Sequence, residues 1–190
     1  EVVLAAVNQD GEAFQYADDS IKSNWKVNLA VVNQDGLLLE YLDDTFKADQ
    51  EMVLAAVNQD GDAFEYAADS LKADREVVLA AVNNSSNAFY YAADSLKADR
   101  EVVLAAMNSE YKGRRFENPQ LEYADDSLKA DREVVLAAVN QNGLALEYAA
   151  NSLKSDREVV LAAVKKDGDA LGYASKELQQ DEDLKKIANK

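Results

Sequence analysis

The chain has 190 residues, 48% of them hydrophobic, with one proline and seven glycines: enough apolar mass for a core and too little turn chemistry for a loop-rich fold. Its 20 basic side chains stand against 36 acidic ones, and the resulting formal charge of -16 repels nucleic acid phosphates and anionic lipid heads. With no cysteine and no histidine, disulfides, thiolate zinc sites, cysteine nucleophiles and serine–histidine triads are excluded.

No apolar run approaches the roughly 20 residues of a membrane span. The expectation is a soluble chain without direct membrane insertion, in a compartment the sequence does not name. The first residue is Glu1, at a repeat boundary, which points to a fragment of a longer chain.

The phrase EVVLAAVN starts at Glu1 and returns, intact or nearly so, at Glu51, Glu76, Glu101, Glu133 and Glu158, with a worn copy at Lys26. These starts divide the chain into a single array of about seven 25-residue units, 1–25, 26–50, 51–75, 76–100, 101–132, 133–157 and 158–182, with 183–190 left as a C-terminal cap. The fifth unit carries seven extra residues.

Each unit reads as a helical hairpin. Before the apolar octet, Asp74-Arg75-Glu76 has the form of an N-terminus, with Asp74 as cap and Glu76 on the positive end of the dipole. Ala80 and Ala81 favour helix over strand, and Asn83 is expected to close it. Asp60-Gly61 or Asn142-Gly143 then turns the chain, with glycine predicted to supply a left-handed residue. A second, amphipathic helix is predicted from about Asp62 to Lys72, its stripe formed by Ala63, Tyr66, Ala67 and Leu71. The octet is apolar nearly all round, so the first helix is predicted to lie between layers, with Leu79, Leu104 and Leu136 fully buried. Leucine-rich repeats share the period, but their strand wants leucine where this chain has Ala80 and Ala81. The fold class is therefore all-α, an α-solenoid. A last helix is expected from about Asp183, placing Leu184 and Ile187 over the open end.

The phrase DREVVLAAVNQNGLALEYA, residues Asp131 to Ala149, resembles the tandem units of the domain of unknown function 4116 family. Cap, octet, turn and tyrosine all align. Departures fall at Lys26–Leu42, at Ser85-Ser86 and in the fifth-unit insertion. The resemblance implies a repeat scaffold and supplies neither an activity nor functional residues.

Several columns invite a chemical reading. Asn58, Asp60, Asp62 and Glu65 have calcium-type oxygens, but the glycine falls too early for an EF-hand loop. Paired acids such as Asp18-Asp19, Asp43-Asp44 and Asp125-Asp126 recur without a partnering base or nucleophile, as a solvated face would. The asparagines Asn8, Asn33, Asn58, Asn83, Asn108 and Asn140 are expected to end the first helix, the alternative being a ladder that binds a polar polymer. The tyrosines Tyr16, Tyr41, Tyr66, Tyr91, Tyr123, Tyr148 and Tyr173 are expected to pack in the core with satisfied hydroxyls, the alternative being a stacking row. In the second unit Leu37, Leu38, Leu39, Leu42 and Phe46, with Trp25, either cover an exposed end or form a contact patch.

The insertion alone breaks the scaffold pattern. It holds the single proline and two of the six arginines, and its candidate partner-binding residues are Tyr111, Lys112, Arg114, Arg115, Phe116 and Pro119. Arginine and aromatic residues dominate binding hot spots, while long surface loops also persist at little cost. No catalytic residue, cofactor or metal is expected. The function expected is a non-catalytic scaffold for a protein partner or larger assembly, with no nucleic acid. The alternatives are a calcium-dependent extracellular module and a repeat region of a larger enzyme or effector.

Overall fold

The computed structural model describes residues 2–109 and 120–189. Among them there is no strand, and helices pack against their equivalents in neighbouring copies. The described residues form two compact units, residues 2–93 with Ser109 and Asp94–Asn108 with 120–189. Each is an all-α stack of repeats, the solenoid architecture.

One copy shows how the sequence builds the stack. Asp74 adopts extended backbone, and its carboxylate accepts from the N–H groups of Glu76 (2.9 Å) and Val77 (3.2 Å). Two otherwise unpaired donors at the helix start are thereby satisfied. The long helix runs Arg75–Asn84, and its sisters in the described repeats start at Trp25, Gln50, Arg100, Arg132 and Arg157. Asp49, Asp99, Asp131 and Asp156 repeat the cap. The helix passes the asparagine column by one residue. Its C-cap is Ser85 here and Asp35, Asp60, Asn142 or Asp167 elsewhere, all in extended backbone. The same side chains open the next element: Asp60 accepts from the Asp62 N–H at 3.0 Å, and Asn142 from the Leu144 N–H at 3.0 Å.

That next element departs from the expected second helix. In place of one helix to Lys72, the third copy has a 3-10 helix, Gly61–Tyr66, and then a single α turn, Asp69–Lys72. Ala67 and Ala68 between them are extended. The reason lies in the neighbouring copy. The Ala68 N–H leaves the helix to donate to the Lys47 carbonyl at 2.8 Å. Ala93 does the same to Lys72, Asp125 to Lys97, Ala150 to Lys129 and Ser175 to Lys154. A bond between copies replaces a bond within one, so no backbone donor is lost by breaking the arm.

A 3-10 helix has three residues per turn, so Gly61, Phe64 and Ala67 share a face. All three are buried, and Phe14, Leu39, Phe89, Leu121 and Leu146 fill the same place as Phe64 with no exposure. The turn glycine also has another role than expected. Gly143 does not adopt a left-handed backbone, and a Cβ there would stand 2.5 Å from the Ala163 carbonyl of the following copy. At Gly61 the corresponding distance, to the Ala81 carbonyl, is 2.7 Å. Glycine is required because the next long helix approaches its backbone.

The long helices are two-sided. Val77, Val78, Ala81 and Val82 are fully buried, as are their counterparts Val134, Val135 and Val139. Leu79, Leu104 and Leu136, predicted to be buried, are only half-buried, together with Ala80, Ala105 and Ala137. The 3-10 arm covers one side of the helix layer; on the other side the leucines stay half-buried.

The C-terminal helix, Glu182–Ala188, lies where sequence placed it, capped by Asp181 and seating Leu184 without exposure. Leu184 and Ala188 stand 25 residues after Val159 and Ala163, and the Ala188 carbonyl approaches Gly168 as Ala163 approaches Gly143. The helix repeats the register of a further copy. In the second copy Leu38 and Leu39 are buried, and Leu38 lies against Gly11 of the copy before it. Leu37, Trp25 and Phe46 are half-buried.

Candidate interaction surface

Three features recur on the described surface. The first is the outer side of the long helices. In the first unit Leu29, Leu54 and Leu79, each followed by alanine, are half-exposed at equivalent places; Leu104, Leu136 and Leu161 repeat this in the second. Exposed asparagines, Asn58, Asn83 and Asn140, lie one turn further on. Between the Arg132–Gln141 and Arg157–Lys166 helices this face dips into a shallow groove lined by Asn140, Glu158, Leu161, Ala162, Lys165 and Lys166. Asparagine was expected to cap these helices and does not. Asn108 instead donates back to the Leu104 carbonyl at 2.9 Å, and Asn84, one residue past the column, bridges copies by donating to the Asn58 carbonyl and accepting from the Gly61 N–H.

The second feature is a ladder made by the Asp-Arg-Glu phrase, whose arginine joins neighbouring copies. Arg132 donates through Nε to Asp156 Oδ2 at 3.0 Å and through a terminal nitrogen to Glu158. Arg100 reaches Asp131 (2.8 Å) and Glu133 in the same manner, and Arg157 reaches Asp181 at 3.0 Å. Each aspartate thus caps its own helix and receives the arginine of the preceding copy. The arginine hydrogen bond is the main cause holding the Asp131 and Asp156 carboxyls below the usual range; for Asp181 the backbone N–H of Leu184 contributes more than Arg157. These charges are partly exposed, so their contribution is modest and salt-sensitive. Gln50, the last residue of the second unit, stands in the arginine position and donates to Glu76 at 3.3 Å.

The tyrosine column is the third. It lies at the surface, not in the core as expected. Tyr41, Tyr66, Tyr91, Tyr123 and Tyr148 are half-buried, Tyr173 is 37% exposed and Tyr16 83%. A 3.6-residue stripe would have put Tyr66 beside the buried side chains, but three-residue turns give that place to Phe64. Carboxylates of the preceding copy lie close enough to act on the phenols, Glu40 on Tyr66 and Glu147 on Tyr173. Burial first, and Glu40 second, raise the Tyr66 phenol above its ordinary value; for Tyr148 the order is burial, then Glu122. Lys72 places its ammonium 5.8 Å from the centre of the Tyr91 ring.

The acids do not converge. Asp60 caps the 3-10 helix, while Asp62 accepts from Ser85 Oγ (2.7 Å) and Asn87 Nδ2 (3.3 Å). Asp18 and Asp125 cap the short helices through the N–H groups of Ser20 and Ser127, both at 2.9 Å. Among the described residues no group of three or more acids is placed to hold a metal ion, and no helix is long and apolar enough to cross a membrane. The insertion residues Tyr111, Lys112, Arg114, Arg115, Phe116 and Pro119 lie outside the described residues.

A stack of copies 25 residues apart, with repeated caps, repeated glycine approaches and repeated surface columns, defines a tandem helical repeat protein. The family described as Domain of unknown function (DUF4116) matches six overlapping stretches, 1–47, 26–72, 74–112, 99–154, 131–179 and 156–190, and the chain belongs to it. Comparison with curated proteins and comparison with solved structures each found no match.

Proposed function

We propose that the chain is a non-catalytic repeat scaffold that holds a protein partner, or a place in a larger assembly, through surface columns repeated once per copy. The observation that carries this reading is the outer side of the long helices. Leucine and alanine stand half-buried there at the same place in the second to seventh copies. Within each unit, partly exposed apolar side chains repeated at a fixed register make a contact face. The insertion, with Tyr111, Arg114, Arg115 and Phe116, adds a basic and aromatic point to a chain of charge -16 and is a second candidate contact, on sequence grounds.

Site-directed photo-crosslinking in the native source tests the reading. A photoreactive residue in place of Leu79 or Leu136 is expected to capture a discrete protein, and Leu54→Gln with Leu161→Gln to reduce that capture. Replacing Arg114, Arg115 and Phe116 with alanine is expected to weaken the same capture with Tm unchanged; undiminished capture makes the loop a neutral insertion. Turnover of a substrate by the purified chain, with no capture from either leucine, overturns the scaffold reading.

A further inference from the structure

The tyrosine row combines three properties that structural packing alone does not require. In the first unit the 3-10 segments Gly36–Tyr41, Gly61–Tyr66 and Ser86–Tyr91 each end on a half-exposed ring. Carboxylates are interleaved with the rings: Glu40 is close enough to act on Tyr66, and Asp62 on Tyr91. Tyr90, 41% exposed, meets Tyr91 edge-on at 5.0 Å, which widens the aromatic surface at that end.

The row already accepts a cation. Lys72 sets its ammonium over the Tyr91 ring, the arrangement in which a ring face attracts positive charge. In the second unit, Tyr123 lines a groove of about 340 Å³ with Asp94, Lys97, Asp125 and Asp126, again a ring and a lysine among carboxylates. The phenols of Tyr66 and Tyr91 are raised by burial and by neighbouring groups, so the rings stay neutral at physiological pH. A chain of charge -16 adds a field of the same sign.

Spacing then selects the form of the occupant. Neighbouring helical elements pack roughly 8–10 Å apart. A polyproline II segment repeats one side chain every three residues, about 9 Å. We propose that the tyrosine–carboxylate row of each unit is a docking track for a basic, extended peptide segment that presents one lysine or arginine to each copy. Each cation lies over a tyrosine ring and beside the carboxylate of the neighbouring copy. The track names a partner class for the scaffold reading and rests on it, but it uses the tyrosines of the 3-10 arm and not the leucine column of the long helices.

The test uses the full chain and two labelled peptides of one composition, a Lys-Pro-Pro repeat and an isomer with its lysines clustered, followed by fluorescence anisotropy. The regularly spaced peptide is expected to bind about tenfold tighter, as a cation–π contribution at each of several copies implies. Replacing Glu40, Glu65, Glu122 and Glu147 with glutamine should abolish that preference. The same change at Glu51, Glu76, Glu133 and Glu158 alters net charge equally and should leave the preference in place. Equal binding of the two peptides, binding of neither, or a preference that survives in the row variant overturns the track. Capture from Leu79 or Leu136 is measured in parallel. If it persists while the preference is absent, the track falls and the scaffold reading stands.

Discussion

The two sides of one helix carry nearly the same chemistry and meet opposite fates. On the Arg132–Gln141 helix, Val134, Val135 and Val139 are fully buried and Ala138 nearly so. Leu136 and Ala137, as apolar as their neighbours, stay half-exposed. Hydrophobicity therefore does not decide which side is core. The 3-10 arm does, by offering Leu121 and Leu146 to one side of the helix layer. A polar side chain was available for the outer positions, and the leucine kept there is what the proposed scaffold reading draws on.

Substitutions can break or sharpen this contrast. The largest effect is expected at the arm. Phe64→Ala should cost about 3–5 kcal/mol, because the ring is fully enclosed and the copy cannot close over the cavity; chemical denaturation checks it, and a loss below about 1 kcal/mol would move the core elsewhere. Gly143→Ala comes next, at about 1–3 kcal/mol, since the new methyl meets a backbone carbonyl that cannot rotate away. The outer side should respond far less. Leu136→Ala is expected to cost about 1 kcal/mol, the transfer of a half-exposed side chain with no sealed cavity. A cost like that of Phe64→Ala would return Leu136 to the core.

The smallest effect belongs to the arginine ladder. The Asp131 and Asp156 carboxyls are held low by Arg100 and Arg132, so their contribution to stability is complete above about pH 4, the ordinary carboxylate range. It drains away as pH falls through the lowered folded values. Arg132→Gln should shift the acid unfolding midpoint upward at low ionic strength, and most of that shift should vanish in roughly 0.5 M salt. An acid midpoint unmoved at low salt would remove the ladder from the stability of the stack.

Local chemistry was legible because it needs only one copy. Asp74 before Arg75-Glu76 reads as a cap wherever the phrase stands, and the alanines of the octet read as helix. The Glu182–Ala188 helix was readable from Leu184 and Ile187 for the same reason. The candidate surface was less legible. Tyr66 and Leu79 sit in apolar patterns, and pattern alone assigns both to the core. The candidate loop was found by sequence alone, as the one break in the period.

The sequence by itself determined the period, the helix starts, the all-α class and the family. Only the tertiary structure decided what each copy does with its second half. The Ala68 N–H is satisfied by Lys47 of the preceding copy, so the arm divides into a 3-10 segment and a turn and carries Tyr66 to the surface. Gly143 is glycine because the Ala163 carbonyl arrives from the following copy, and Arg132 is arginine because Asp156 does. These are contacts between residues about 20 to 25 apart, repeated in register. A single copy contains both halves of every such pair but never brings them together, because each partner meets its mate on the neighbour.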